Sequence, residues 1–536
     1  MKYWNHIKTS KFIGLCFATF FVLSSCEKSF DELEKDPNRP VSVPASLVLQ
    51  GIEMDMYNSI GRPFSAEMRW NQYYLSNYNY YATNEYTWTS MPDQYITLKN
   101  VIKMEEEARR AGGGEVNPYS ALGKFFRAYF YDQMTKRVGD LPLSNALKGI
   151  DNTAPTYDSQ KQVYLQILKW LDESNTELAQ LIAQGNGTLT GDFYFNGNLR
   201  NWQKTVNAFQ LRVLISLSKK ENDTDLNIKG RFKAILSNPT QYPLMEGLSD
   251  NLQFVSNVFN KYPSNPDNFG FDATRQNMSA AYITPLVERN DPRVMVTCEP
   301  AGSQLKAGKL PSDYSAYVGA SAGEDLSDMS FKAGINNGPG FAPGSYSFQN
   351  RNRFYTNYIG QNTFLVGYPE MCFNIAEGLH RLWDSSQSAE TWYHRGIKAS
   401  FDFYGIKEGD NTMTYSQTGG RNATDFRTFT IPFRLDSYLN QANVRYETGT
   451  AGLSKIITQK YIAFFMNSGM EAYFNWRRTG FPIFYTGVGT GNSGRIAVRW
   501  QYPLSERTTN EQNYRAAIQR QFNGRDDIND VLWILQ

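Results

Sequence analysis

Apolar side chains near the C-terminus recur at three- and four-residue steps, which predicts an amphipathic helix. Ile457, Tyr461, Phe464 and Phe465 fall on one face of a helix over about 456–466. A shorter helical stretch follows and ends in a Gly-x-Pro sequence, and glycine with a nearby proline is typical of a helix end. An apolar stripe of this kind indicates core packing.

The same periodicity predicts a mainly α-helical fold. Glycine follows several of the periodic stretches and marks their ends. Some helices follow one another as pairs, although no strict repeat of roughly 34 residues is present. The predicted helices cover about 44–60, 92–111, 118–138, 159–184, 201–220, 368–384, 389–404 and 510–522.

Two stretches lose the helical period. Residues 240–360 are rich in Gly, Pro, Asn, Ser and Tyr, and residues 405–450 are polar. We predict irregular structure in both, with a long loop-rich insertion at about 240–360. Such loops on a rigid frame usually carry function. The insertion contains five notable aromatic residues: Tyr314, Tyr317, Phe341, Tyr346 and Phe348.

A second concentration of aromatic residues lies between positions 70 and 88. Aromatic residues make up 15% of the chain, with 34 Tyr and 10 Trp. Beyond position 77 the helical period is lost, which predicts a loop, and aromatic side chains on a polar loop are harder to explain as core. The tract contains Trp70, Tyr73, Tyr74, Tyr78, Tyr80, Tyr81, Tyr86 and Trp88.

The N-terminus has the pattern of a lipoprotein signal peptide. Three lysines precede an apolar run over 12–23, which is too short to span a bilayer, since that needs about 20 residues. The run ends in Leu-Ser-Ser-Cys, which matches a bacterial lipobox with Cys26 as the lipidated residue. We predict a signal peptide over 1–25 and an extended tether over 26–42 that a lipid holds at a membrane. Ordinary secretion with an incidental cysteine is the alternative.

Charge and cysteine content argue against several classes of protein. Without residues 1–25 the 54 basic residues fall to 51, against 52 acidic residues, and no basic run suits nucleic acid. Only Cys298 and Cys372 remain in the body, so no disulfide framework supports the fold, although one bridge between them can form. His380 and His394 alone argue against a histidine-based zinc site. No metal or cofactor is predicted.

Catalytic signatures give no positive support for an enzyme. The sequence contains no Walker loop, no His-Glu-x-x-His and no Cys-x-x-Cys. A helical glycosidase or lyase stays open, because the separation of a catalytic carboxylate pair is spatial and cannot be read from spacing. Residues 221–227 offer spaced oxygen ligands but do not match a calcium loop, so we predict a solvated turn there.

Motifs in a characteristic order extend along the chain. Asp-Pro-Asn occurs at 36–38, a helix closes with Val-Gly-Asp-Leu-Pro at 138–142, and a helical pair covers 370–404. The C-terminal cluster reads Gln-Lys-Tyr-x-Ala from 459, Glu-Ala-Tyr from 471, Trp-Arg-Arg-Thr-Gly-x-Pro from 476 and Arg-Trp-Gln-Tyr-Pro from 499. With the lipobox, these motifs resemble the SusD/RagB family of nutrient-binding outer-membrane lipoproteins. Val138 stands where that family often has tyrosine.

The resemblance implies a fold, a location and a role. The fold would be mainly α, a SusD-like α–α superhelix of tetratricopeptide-like helical pairs that supports long irregular loops. Residues 43–536 would form one domain, although length alone would suggest two to four. The protein would be anchored to the outer membrane through Cys26 and face the cell exterior. It would act as a lid on a SusC-like TonB-dependent transporter and would not be an enzyme.

The family offers no fixed motif for its ligand site, so candidates come from aromatic residues on predicted loops. Sugar rings stack on Tyr and Trp, and their hydroxyls need polar groups nearby. The predicted ligand contacts are Trp88, Tyr78, Tyr80, Tyr81, Tyr314 and Tyr317. Core packing is the alternative for each. An oligosaccharide is the preferred ligand and an oligopeptide the next. A polysaccharide-degrading enzyme and an adhesive lipoprotein are the competing classes.

Overall fold

Helices dominate the computed structural model, which describes residues 42–80, 82–185, 187–268, 273–334, 344–416 and 426–536. Residues 45–536 cluster as one structural unit. The α-helices are α1 (Ala45–Met56), α2 (Ala66–Trp70), α3 (Tyr95–Arg110), α4 (Pro118–Val138), α5 (Gln160–Gln184), α6 (Leu199–Ser216), α7 (Ile228–Ser237), α8 (Ala280–Val287), α9 (Arg293–Thr297), α10 (Gly302–Lys306), α11 (Leu326–Ala333), α12 (Arg351–Tyr355), α13 (Tyr368–His380), α14 (Ala389–Tyr404), α15 (Leu435–Leu439), α16 (Gly449–Ala463), α17 (Glu471–Thr479), α18 (Leu504–Thr509) and α19 (Glu511–Phe522).

Local capping explains where the long helices begin and end. At the start of α4, Asn117 and Ser120 exchange side-chain to backbone hydrogen bonds in a capping box. Ser159 and Gln162 do the same at the start of α5, which ends at Gly185 with a φ of 66°. The predicted bounds of these two helices agree with the structure to within a residue or two because their end signals lie in adjacent sequence.

Neighbouring helices pack as successive pairs. The first layer runs α1 against α3, α3 against α4, α4 against α5 and α5 against α6. Helix α13 then packs against α6, α14 and α16, which joins the C-terminal half to the first layer. This arrangement confirms the prediction of a mainly helical fold with tetratricopeptide-like pairs.

The strands are short and form two-stranded antiparallel ladders. They are β1 (Tyr74–Ser76), β2 (Leu141–Pro142), β3 (Tyr157–Asp158), β4 (Leu252–Phe254), β5 (Gln276–Met278), β6 (Thr363–Val366), β7 (Gly409–Ser416) and β8 (Phe426–Phe433). The ladders pair β1 with β5, β2 with β3, β4 with β6, and β7 with β8.

Two regions predicted as irregular contain regular structure. The β7–β8 ladder falls inside 405–450, where Met413, Ile431 and Phe433 turn inward between exposed neighbours. Within 240–360, the described helices are at most eight residues long and are linked by loops. The short helices have too few turns for a helical period to be apparent. In the β7–β8 ladder the apolar residues alternate with polar ones, so this polar sequence resembles that of a loop.

The residues of the C-terminal motif cluster lie buried in the core of the fold. Gln459 accepts a hydrogen bond from Arg293, and the Tyr461 hydroxyl donates to main-chain carbonyls of the segment after α2. Arg478 forms a buried ion pair with Glu377. Burial raises the pKa of Glu377, but the Arg478 and Arg381 guanidinium groups outweigh it and lower that pKa to about 2. These residues therefore hold the C-terminal helices to the rest of the fold.

The two cysteines of the body do not form a bridge. Cys298 and Cys372 are both buried and free. Burial raises the pKa of each thiol to about 12. Both thiols are therefore protonated at neutral pH and serve as small apolar side chains in the core.

Candidate ligand-binding cleft

A clamped loop after β1 presents two of the predicted aromatic residues. The Ser76 backbone N–H donates to the Asn84 side-chain oxygen, and the Asn84 side-chain nitrogen donates to the Ser76 carbonyl, each at 2.9 Å. The Asn77 side chain donates to the Thr274 carbonyl at 3.0 Å. These bonds fix the start of the loop on the β1–β5 ladder and leave Tyr78, Asn79 and Tyr80 at the surface.

Helix α11 faces this loop and is held by its own small core. The Asp325 carboxylate caps the helix by accepting the backbone N–H groups of Ser327 and Asp328. Met329 and Ala333, four residues apart, are fully buried in a cluster that includes Leu75 of β1. The shared cluster couples the position of α11 to that of the loop after β1.

A cleft of about 590 Å³ lies between the loop and the helix. The exposed fraction of the Tyr80 side chain is 81% and that of Phe331 is 85%, while Tyr78 is 37% exposed. The Tyr78 and Tyr80 rings lie 6.2 Å apart between centroids. The cleft is lined by Tyr78, Asn79, Asp325, Leu326, Ser327, Ser330, Phe331 and Gly334.

A cation supports the Tyr78 ring. The Arg275 guanidinium carbon lies 4.7 Å from the ring centroid, and Arg275 directly precedes β5, the partner strand of β1. Attraction between a guanidinium and an aromatic face contributes roughly 0.5–1 kcal/mol at an exposed site. The contact therefore favours one orientation of Tyr78 before any ligand arrives.

The chemistry of the cleft suits a ligand with both apolar faces and polar edges. Tyr78 and Phe331 line the cleft and offer flat apolar surfaces, the exposed Tyr80 ring lies beside Tyr78, and Ser and Asn side chains offer donors and acceptors. Asp325 is the one carboxylate among the lining residues, and it caps α11. The described lining residues therefore supply one carboxylate, where glycoside hydrolysis uses two.

Trp88 lies in the core, which corrects the expected position on an exposed loop. Its side chain is 3% exposed. Its ring stacks on Trp500 at 3.6 Å between centroids and 5° between planes, and it meets Tyr473 edge-on at 5.1 Å. The segment around Trp88 has no regular structure, but the C-terminal aromatic residues cover it.

The other predicted residues do not join this cleft. Tyr317 is 3% exposed and its hydroxyl donates to the Pro311 carbonyl at 2.9 Å, so it is a packing residue in the described fold. Tyr314 is partly buried against the main core, which raises the pKa of its hydroxyl. Neither lines the cleft. Tyr81, Phe341 and the predicted lipidation residue Cys26 lie outside the described residues.

Phe331 is a cleft residue that sequence reasoning missed. It lies between Ser330 and Lys332 in a short helix that was predicted as irregular loop. Two residues along a helix correspond to about 200°, so Met329 and Ala333 in the core force Phe331 outward. An isolated aromatic residue opposite an apolar pair in a polar segment is the signal that could have identified it.

One hydrolase-like sequence, Gly-Ala-Ser-Ala-Gly at 319–323, has no catalytic setting. The Ser321 hydroxyl accepts the Gly323 backbone N–H at 3.2 Å. The described histidines pair elsewhere: His380 with Tyr446 and the Gly449 carbonyl, and His394 with Glu390. A serine nucleophile of this class needs a neighbouring base.

The described residues offer no cluster for a metal ion. No group of three or more His, Cys, Asp or Glu side chains there could hold one. In the 221–227 turn, Asp223 and Asp225 both pair with Lys161, and Asp223 accepts two backbone N–H groups. Over the same described residues, no helix has the length and apolar character needed to cross a membrane.

Comparison with known proteins identifies relatives over nearly the full length. A family model named SusD-like, described as starch-binding and associating with the outer membrane, matches residues 37–503. An outer-membrane protein of Bacteroides vulgatus, described as a candidate for nutrient binding, is 30% identical, with 92% of this chain and 100% of that chain covered and a TM-score of 0.75. A SusD homologue of Bacteroides fragilis is 27% identical over the same shares, with a TM-score of 0.78.

More distant structures share the fold. A chitin-binding SusD homologue of Flavobacterium johnsoniae is 21% identical, covers 91% of this chain and 98% of its own, and gives a TM-score of 0.67. No curated protein matches the chain.

Proposed function

Because the chain belongs to the SusD-like family of starch-binding proteins that associate with the outer membrane, we propose that it captures an oligosaccharide in the cleft lined by Tyr78 and Phe331, beside Tyr80. It would hand that ligand to a SusC-like TonB-dependent transporter at the cell surface. A lipid on Cys26 would hold the protein at the outer membrane. Its role would be capture and transfer, without covalent chemistry.

The observation that carries this proposal is the exposure of Phe331, which lines the cleft, and of Tyr80, whose ring lies beside the lining residue Tyr78. Water contact with Tyr80 and Phe331 costs free energy, about 25 cal/mol for each Å² of apolar surface. The chain keeps both rings exposed although many of its other aromatic residues, such as Trp88 and Tyr317, are buried. A sugar ring stacked on these faces would cover the apolar surface while its hydroxyls reach the polar lining.

A saccharide fits this lining better than an extended peptide. Peptide recognition draws on a free strand edge or on pockets for alternate side chains. Here β1 is paired with β5, the Asn84 side chain hydrogen-bonds to both the backbone N–H and the carbonyl of Ser76, and the neighbouring α11 presents side chains. The hydroxyl and amide groups of Ser327, Ser330 and Asn79 suit the equatorial hydroxyls of a sugar. An oligopeptide is the alternative ligand for the same role.

Isothermal titration calorimetry with neutral gluco-oligosaccharides of about three to seven units tests the ligand class. We expect saturable binding without turnover. Tyr80→Ala and Phe331→Ala should each weaken it up to roughly tenfold. Phe259→Ala is the matched control, because Phe259 is 91% exposed but does not line the cleft. Equal affinity in the wild type and all three variants would show that the ligand does not bind in this cleft. Formation of a product would show that the protein hydrolyses the oligosaccharide.

Purification of the membrane-bound protein in mild detergent tests the partner. A β-barrel protein recovered in stoichiometric amount is expected if the chain serves a transporter. Cys26→Ala should release the protein from the membrane fraction, because one changed residue removes the attachment point of the lipid. Recovery of the protein alone under conditions that preserve other membrane complexes would contradict the transporter role.

A further inference from the structure

A second cleft lies away from the aromatic one. It has a volume of about 440 Å³ and is bounded by β7, by α12 and by the end of α14. None of its lining residues is shared with the cleft at Tyr78. Its lining is rich in polar side chains, among them Asn352, Thr412 and Thr414. These offer donors and acceptors along one side.

Arg353 is the distinctive residue of this cleft. Its Nε donates to the Gln361 side-chain oxygen at 3.0 Å, and its guanidinium lies 5.5 Å from the Tyr404 ring centroid. These two contacts fix the plane of the guanidinium. Its two terminal nitrogens have no hydrogen-bond partner among the described residues and stay open to the cleft. The two terminal nitrogens, which arginine uses to bind an anion through two hydrogen bonds, are therefore held in place without a partner among the described residues.

Five of the six buried arginines elsewhere in the described fold pair with a carboxylate, and Arg137 is the exception. The pairs are Arg212 with Glu370, Arg293 with Asp291, Arg351 with Glu299, Arg478 with Glu377 and Arg499 with Asp526. Within the described part of the chain, Arg353 forms no ion pair despite being partly buried. A positive charge held without an anion in a cleft is suited to an anion from outside.

The floor of the cleft gives a second sign of an incomplete site. Tyr404 lines it and is 4% exposed, and its hydroxyl has no hydrogen-bond partner among the described residues. Buried polar atoms without a partner are rare and call for a specific explanation. A bridging water or a ligand oxygen would supply the missing bond.

The charges at the mouth of the cleft do not cancel this preference. Lys407, Glu408 and Asp410 are all exposed at the rim. Glu408 accepts a hydrogen bond from the Leu435 backbone N–H at 2.7 Å, and this donor partly compensates its negative charge. Exposed charges are screened by water and salt, whereas a partly buried guanidinium is screened less.

We propose that this cleft binds the carboxylate of an acidic sugar, a uronate unit of an oligosaccharide, with Arg353 as the anion-binding residue. The guanidinium fork matches the two carboxylate oxygens, and Asn352, Thr412 and Thr414 lie where the sugar hydroxyls would be. The inference does not depend on the aromatic cleft, because the two sites share no residue.

Calorimetry at low salt with trimers of galacturonate and of mannuronate, and with their fully methyl-esterified forms, tests this site. The esters keep the size and hydroxyls of the acids but lose the charge. We expect the acid form of at least one trimer to bind about ten- to a hundredfold more tightly than its ester, as for a hydrogen bond to a charged group. Equal binding of acid and ester, or no binding of either acid, would overturn the proposal.

Two variants assign the effect to this cleft. Arg353→Gln removes the charge, and Thr412→Trp fills the cleft from an exposed position on β7 without touching the core. Each should reduce binding of the acid by about tenfold or more, while Tyr80→Ala should leave it unchanged. Should Arg353→Gln fold poorly, Thr412→Trp decides the question. Unchanged affinity in folded Thr412→Trp protein, or loss of acid binding in Tyr80→Ala, would refute the assignment.

Discussion

Glu53 is a buried acid whose replacement should stabilise the protein. Its side chain on α1 is 0% exposed, one of its oxygens accepts the Phe193 backbone N–H at 3.0 Å, and the other has no partner in the described structure. Burial, with the nearby Asp192 carboxylate, raises the pKa of Glu53 from 4.5 to about 10. Asp192 accepts four hydrogen bonds, from Tyr194, Phe195, Gly197 and Trp202. Glu53 therefore holds a proton in the folded protein at neutral pH.

The magnitude follows from linkage. Glu53 has a folded-state pKa of about 10, above the unfolded value of 4.5, so its contribution to stability is complete below pH 4.5 and is lost as pH rises toward 10. At pH 7 the loss is on the order of 3 kcal/mol, since each pKa unit corresponds to about 1.4 kcal/mol. Glu53→Gln keeps the shape of the side chain and is neutral in both states. Its advantage over the wild type should therefore be near zero at pH 4 and grow with pH.

Thermal denaturation at about pH 4, 5.5, 7 and 8.5 measures this difference in stability. These values begin just below the unfolded-state pKa of Glu53 and rise toward its folded-state pKa. Glu106→Gln is the matched control, because Glu106 is about half exposed and its surface ion pair with Lys103 contributes little. We expect the control to follow the wild type at every pH. A Glu53→Gln protein that is less stable than the wild type throughout, or whose advantage does not change with pH, would show that Glu53 is ionised in the fold and refute the reasoning.

Three further outcomes follow from the structure. Trp88→Ala should lower the free energy of unfolding by about 3–5 kcal/mol and leave folded protein with unchanged ligand affinity, as denaturation and calorimetry can show. Phe331→Ala, at an exposed position, should weaken binding and leave the melting temperature within about 1–2 °C of the wild type. Arg478→Gln should cost about 3–5 kcal/mol, because it leaves the Glu377 carboxylate buried with one partner fewer. The Glu377 contribution is present above pH 4.5 and lost as pH falls toward 2, so acid titration of this variant should show a weaker loss than the wild type.

Helices were predictable where their signals are local. The capping residues and terminal glycines of α4 and α5 lie next to the helices that they end, and both helices occur where the pattern placed them. The β7–β8 ladder was missed because its register depends on pairing across the hairpin. The short helices within 240–360 were missed because one or two turns leave too few positions to establish a period.

The candidate site was predictable in part. Tyr78 and Tyr80 lie at the surface, as expected for residues of a polar loop. Trp88 belongs to the same irregular segment but is covered by Trp500, more than 400 positions later in the sequence. Local sequence does not encode whether a distant segment returns to bury a side chain, so aromatic content alone could not separate these residues.

The sequence by itself determined the helical class, the bounds of the capped helices and, through its ordered motifs, the family. These depend on residues within a few turns of each other or on the order of short patterns. Only the tertiary structure decided that Phe331 faces Tyr78 across a cleft and that the terminal nitrogens of Arg353 have no partner among the described residues. The physical reason is that exposure and charge pairing depend on which distant segments meet, and packing of the whole chain sets those contacts.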